Sequence, residues 1–184
     1  MVRGDYGGVK VLFAPLFFIL VPTTNPDISE IMPTIEELIK QPKFRNEKHK
    51  ATVSVLYVHN LITNYFEEYL GKYGLTLQQF NVLRILRGQQ PNPSTINLIR
   101  ERMLDKMSDA SRIVERLRKA ELVDRLQSKE DRRAVDVVIT AKGLRVLSEI
   151  DKNSAQLDRP FEKLSEQEAA QLSKLIEKVF DTLV

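Results

Sequence analysis

Residues 108–140, SDASRIVERLRKAELVDRLQSKEDRRAVDVVIT, constrain the fold most, because within them the hydrophobic period changes from helical to alternating. Ile113, Val114, Leu117 and Ala120 share one side of a helix, and Asp109, Arg112, Arg116 and Lys119 share the other. Ser108 is the expected N-cap. After a short strand, Val135, Val137 and Ile139 alternate with Asp136, Val138 and Thr140, which predicts a second strand. The intervening QSKEDRR is too highly charged to be buried and is expected to form the exposed tip of a hairpin. A cationic helix followed by a cationic hairpin tip suits a nucleic-acid duplex, the helix entering the major groove and the tip a minor groove.

The charge distribution agrees. The formal net charge of +3 is modest and does not by itself indicate nucleic acid. From Arg100 to Arg133, however, there are 11 Lys/Arg against 8 Asp/Glu, and the remaining chain has 17 of each. All of the excess falls on the segment expected to meet DNA. The absence of cysteine excludes disulfides, thiolate metal sites and a cysteine-based redox switch. His49 and His59 lie on one predicted helix, roughly 15 Å apart along its axis, too far to share a metal. There is no phosphate-binding glycine loop, no HExxH and no nucleophile elbow. The adjacent pairs Glu36-Glu37 and Glu67-Glu68 sit on helices, where neighbours diverge by about 100° and cannot work as acid and base. Neither an enzyme nor a cofactor is expected.

At 184 residues the chain suits one domain with a good core, mostly helical. Its first 31 residues carry Arg3 and Lys10 and then VLFAPLFFILV, too short to span a bilayer and followed by no cleavage site. Translation is expected to start at Met32, leaving 1–31 as a non-native or disordered extension, with no membrane partner. Thr34–Gln41 reads as a short helix capped by Thr34 and Glu37 and stopped by Pro42. Glu47–Leu70 reads as a long helix with apolar residues on several sides, which calls for more than one neighbour, one of them in a second subunit. Gly71 and Gly74 end it. Thr76 and Gln79 form a capping box ahead of Phe80, Leu83 and Leu86, which point inward. After QQPNP, Ser94 is expected to cap a helix with Ile96, Ile99 and Met103 in the core. Leu104–Met107 then turns into the cationic helix, which makes a helix-turn-helix. Beyond the hairpin, Thr140 caps a helix through Leu144, Leu147 and Ile150, and Pro160 interrupts the chain. Ser165 and Glu168 open a last helix whose stripe of Leu172, Leu175, Ile176, Val179, Phe180 and Leu183 cannot be hidden by that helix alone.

The runs SDASRIVERLRKAELVDR and KEDRRAVDVVITAKG resemble the recognition helix and wing of the MarR family of bacterial transcription regulators. The signature is Asp131-Arg132-Arg133, an apolar strand ending at Ile139-Thr140, and a helix start with Gly143. The element order extends the resemblance from about Lys48 to the last residue. Two positions depart from it. Glu121 stands where members usually carry glycine at the end of the recognition helix, and a left-handed backbone there strains a residue with a Cβ. Asp109 stands where a neutral side chain is commoner. The resemblance implies a mostly α fold with a small β-hairpin wing, a winged helix-turn-helix with N- and C-terminal dimerisation helices. The division would be 1–31 extension, 32–75 dimerisation helices, 76–140 DNA-binding lobe and 141–184 dimerisation helices. It also implies a cytoplasmic homodimer that represses transcription from a pseudo-palindromic operator. A small amphipathic or aromatic effector would bind between the dimerisation helices and the DNA-binding lobe and lower DNA affinity. The alternative is a winged helix that binds protein and no DNA.

Within that framework, Ser108, Asp109, Ser111 and Arg112 occupy the first turn, where a recognition helix reaches base edges, with Arg116 one turn further. Arg112 suits a bidentate contact to guanine, Ser111 a phosphate, and Asp109 either cytosine N4 or the positive helix end. In the wing, Arg133 is expected to enter a narrow minor groove while Arg132 pairs with Asp131 or the backbone. Tyr57, Tyr65 and Tyr69 are the candidate effector-pocket residues, although aromatic residues at this spacing also suit a core.

Overall fold

The computed structural model describes residues 33–127 and 135–183, with the backbone of two short strands, β1 (Lys10–Val11) and β2 (Leu20–Val21), paired antiparallel. The expected extension over 1–31 otherwise lies outside the described residues. The chain divides into two compact units, 1–56 and 57–184. In the first, the capping box is present: Glu37 N donates to Thr34 Oγ1, and Thr34 N donates to Glu37 Oε2 at 2.8 Å. Helix α1 spans only Ile35–Leu38, shorter than expected, because the chain turns at Lys40, whose φ is 55°, before reaching Pro42. Lys50 Nζ lies 2.7 Å from Glu36 and holds that carboxyl below its usual range. Helix α2, Glu47–Gly71, begins in this unit and ends in the next.

In the second unit, α3 (Leu77–Gln89) is the central helix, packed against four neighbours: α4 (Ile96–Arg102), α5 (Ala110–Lys119), α6 (Ala141–Asp151) and β5 (Val135–Ile139). It starts at the expected box, with Gln79 N donating to Thr76 Oγ1 at 3.2 Å and Thr76 N to Gln79 Oε1 at 2.9 Å. Phe80, Val82, Leu83 and Leu86 carry its buried face. They join Ile99 and Met103 from the α4 side, Val114 and Leu117 from α5, and Leu147 and Ile150 from α6 in one core. Each such side chain contributes about 1.5–3 kcal/mol by leaving water. Arg87 of α3 and Asp151 of α6 add a 2.5 Å ion pair at the edge of this core.

The hairpin consists of β4 (Val123–Gln127) and β5, in the register Val123↔Ile139 to Gln127↔Val135. Val137 and Ile139 are buried as the alternation requires, but Val135 at the far end is exposed. A third strand was not expected. Ser94–Thr95 forms β3 on the other side of β5, in the order β3-β5-β4, with Ser94 opposite Val137. Thr95 therefore caps α4, accepting from Leu98 N at 3.2 Å, and Ser94 is buried instead of capping. Both residues have a capping hydroxyl. Both lie in β3, and Thr95, directly before α4, supplies the cap.

The end of α5, the base of β4 and the start of α6 meet at one junction. Glu121 has φ 61°, the left-handed conformation that the glycine-like position demands. Thr140 Oγ1 donates to the Glu121 carbonyl at 2.8 Å and accepts from Gly143 N at 3.0 Å, and Thr140 N donates to the Leu122 carbonyl. Lys142 Nζ reaches the Ala120 carbonyl and Glu121 Oε2, both at 2.9 Å, which lowers the Glu121 carboxyl pKa. Replacing Glu121 by glycine removes the Cβ strain at the cost of one exposed ion pair, so Glu121→Gly is expected to raise Tm by about 2–4 °C. Thermal unfolding followed by circular dichroism checks this, and an unchanged or lower Tm would mean the Lys142 contact outweighs the strain.

Beyond α6, helix α7 (Ala155–Asp158) and a 3₁₀ turn (Arg159–Phe161) lead to α8 (Glu166–Leu183). The expected box is present, Ser165 N donating to Glu168 Oε2 at 2.8 Å. The anticipated stripe runs the length of α8, yet Leu175, Ile176, Val179, Phe180 and Leu183 are all exposed. Val58 and Leu61 on α2 are exposed as well. Among the described residues, no helix is long and apolar enough to cross a membrane.

Candidate nucleic-acid interface

Helix α5 turns an apolar face to the core through Ala110, Val114 and Leu117. Its cap lies one residue later than expected. Asp109, in extended backbone, accepts from Arg112 N at 3.0 Å, whereas the Ser108 hydroxyl donates to Asp105 Oδ2 at 2.5 Å. Asp105 also accepts from Met107 N at 2.9 Å, so one carboxylate closes the turn that leads into the helix. The Ser108 hydroxyl and the Met107 amide hold that carboxyl below its usual pKa.

The cations on α5 divide into two groups. Arg118 is committed, donating to Glu115 through Nε at 3.0 Å and Nη2 at 2.9 Å, and Arg125 of β4 approaches the same carboxylate at 3.5 Å. The bound Arg118 side chain is the first cause of the lowered Glu115 pKa. Arg112 and Arg116 are exposed and have no ion-pair partner among the described residues. Four residues apart, they fall on one ridge of the helix.

That ridge forms one wall of a shallow groove. Ser108, Asp109, Arg112, Ile113 and Arg116 line it from α5, and Thr76, Gln78 and Gln79 line it from the start of α3. At about 240 Å³ it is smaller than sites that enclose a drug-sized ligand. Four of the seven residues singled out on the helix and wing thus meet in one place, and Ser111 is exposed beside them on the first turn. Arg132 and Arg133 lie outside the described residues. Sequence reasoning read Thr76 and Gln79 as a cap alone and passed over Gln78 and Asp105. Thr76, Gln78 and Gln79 open α3, outside the turn that joins α4 to α5, so no local spacing marks them as facing α5.

The tyrosines sit elsewhere. Tyr65 and Tyr69 stack at 6.4 Å, and Tyr69 meets Tyr73 edge-on at 5.6 Å. Tyr69 is in the core, and burial, assisted by the Tyr73 hydroxyl, pushes its pKa up to about 12. Tyr65 is half-buried and its hydroxyl donates to the Gln156 carbonyl of α7 at 2.8 Å. Tyr57 is half-buried two turns earlier on α2. None of the three lines the groove. Among the described residues no cluster of three or more metal-ligating side chains occurs.

A helix-turn-helix followed by a hairpin, with a third strand closing the sheet, defines a winged helix-turn-helix. The MarR family's sequence model matches residues 73–134. The transcriptional repressor IacR of Pseudomonas putida is 32% identical over 127 residues, covering 68% of this chain and 75% of that protein. The chain belongs to the MarR family, whose members are transcription regulators and not enzymes. Two solved structures share the fold. A mutant MarR of Escherichia coli, complexed with operator DNA, superposes with a TM-score of 0.66 at 23% identity over 74% of this chain and 98% of that one. BpsR of Bordetella bronchiseptica, whose DNA binding is regulated by 6-hydroxynicotinic acid, gives 0.59 at 21% identity over 71% and 98%.

Proposed function

We propose that the protein is a cytoplasmic homodimer that binds a pseudo-palindromic operator through paired recognition helices and represses transcription from it. The carrying observation is the ridge of Arg112 and Arg116, cations without acidic partners among the described residues, beside the first turn of α5, while Arg118 is neutralised. In this reading Arg112 meets a guanine edge, Ser111 and Arg116 meet phosphates, and Ser108 and Asp109 order the first turn against the bases. Arg133 enters the flanking minor groove, with Arg132 supporting the wing. The exposed apolar faces of α2 and α8 are the surfaces through which two copies join, the N- and C-terminal dimerisation regions being 32–75 and 141–184. A small amphipathic or aromatic effector acts at the tyrosine cluster of α2, Tyr57, Tyr65 and Tyr69. Its support is the relative regulated by a hydroxylated aromatic acid, and a half-buried Tyr65 whose bond to Gln156 a ligand can exchange.

The test is binding to the duplex upstream of the protein's own coding sequence, titrated against salt. Affinity is expected to fall steeply as salt rises, because phosphate contacts release counterions. Arg112→Ala is expected to weaken operator binding by about 5–150-fold, the equivalent of a 1–3 kcal/mol base contact, with little effect on random DNA. Arg133→Ala should weaken both and reduce the salt slope by about 1. A protein retained by no duplex at low ionic strength would instead be a protein-binding winged helix.

A further inference from the structure

The turn between α4 and α5 displays apolar side chains on a fixed backbone. Met103 before it and Ala110 after it are buried, whereas Leu104 is 81% exposed and Met107 is 93% exposed. The turn is held at both ends. Leu104 N donates to Asn81 Oδ1 at 3.0 Å, Lys106 Nζ donates to the Glu101 carbonyl, and Asp105 ties Met107 N to Ser108 Oγ. Met107 therefore projects from a pinned position directly before Ser108 and Asp109, which line the groove beside Arg112 and Arg116.

A thioether exposed to this degree gains nothing from water, and a polar residue would serve the turn equally well. The occupant that fits is an apolar spot set within an anionic surface. On the major-groove edges of DNA, the C5-methyl of thymine is that group. We infer that Met107 is a specificity-determining residue that packs on a thymine methyl in each half-site. The inference rests on the DNA-binding reading above and adds a base preference to it. Methionine suits the role because its unbranched, polarizable chain adapts to the exact position of the methyl.

The test starts from a duplex selected by the full chain from a randomised pool, compared with copies in which single thymines are replaced by deoxyuridine. For the wild type, removing one methyl in one half-site is expected to lower affinity about fourfold, the value of one buried CH₂-sized group. Met107→Ala, which removes the contact from both half-sites, is expected to bind the thymine duplex about 15-fold more weakly and to lose nothing further at that deoxyuridine. The inference is overturned if the variant keeps the wild-type deoxyuridine penalty or binds the thymine duplex undiminished. It is also overturned if Met107→Ala changes the mass in sedimentation without DNA, because the side chain then belongs to a subunit contact. A wild type that selects no duplex overturns the DNA-binding reading itself, a different result from one that binds tightly and ignores the methyls.

Discussion

Gly143→Ala is expected to lower Tm by about 6–12 °C, the consequence of roughly 3 kcal/mol of overpacking, and Gly143→Val to prevent folding. A Cβ at this position would lie 2.3 Å from the Leu122 carbonyl oxygen and 2.8 Å from Ile139 Cγ1. The Ile139 side chain can rotate away. The carbonyl cannot, because it is backbone and already accepts from Thr140 N at 3.1 Å. Relief would require α6 to lift off the sheet, exposing Leu147 and Ile150 from the core. Gly88 is the internal control. It also lies within a helix, but a Cβ there meets nothing within 4 Å, so Gly88→Ala is expected to raise Tm slightly through helix propensity. Thermal melts of the two variants side by side settle the matter. A Gly143→Ala protein melting with the wild type would show that α6 does not pack as described.

The second large effect is on assembly. Val179→Glu combined with Phe180→Glu is expected to convert the proposed dimer to single chains and to cost about 100-fold or more in operator affinity. The loss is large because, in a dimer, the first bound half-site holds the second recognition helix at high effective concentration. Both residues are already exposed in the single chain, so the substitutions need not disturb its own core. Sedimentation velocity gives the mass, and an unchanged melt of the helical signal shows the fold is kept. If the double variant still sediments as a dimer, the α8 stripe is not the subunit contact.

Much of this architecture could be read before any coordinates. The change of period between Leu117 and Val135 located the recognition helix and hairpin. Side chains three residues apart located three helix starts, at Thr34, Thr76 and Ser165, and a lone threonine a fourth, at Thr140. Each of these signals is local, carried by residues within one or two turns of one another. The left-handed backbone at Glu121 was signalled by the resemblance, which puts glycine at that position, and not by the residue itself. What escaped was decided by partners distant in sequence. Ser94 and Thr95 are chemically equal as caps, and the pairing of both with β5 buries Ser94 and starts the helix after Thr95. Ser108 and Asp109 are an exception: both are competent, and Asp105, only three residues away, decides by engaging the serine. The groove could not be anticipated as a unit because its two walls are contributed by segments about 30 residues apart. Arg132 and Arg133, the best-marked residues of the wing, lie outside the described residues.

The junction of Glu121, Leu122, Thr140, Lys142 and Gly143 leaves the DNA-reading lobe little slack. The backbone groups that finish one helix also launch the next, so α5 and α6 are welded at an elbow with no hinge between them. Tilting α6 by some angle swings α5 through the same angle, and the spacing of two such helices in a pair changes without any residue at the base edges being rearranged. In the proposed dimer this gearing makes the elbow the place where a single substitution would uncouple α5 from α6.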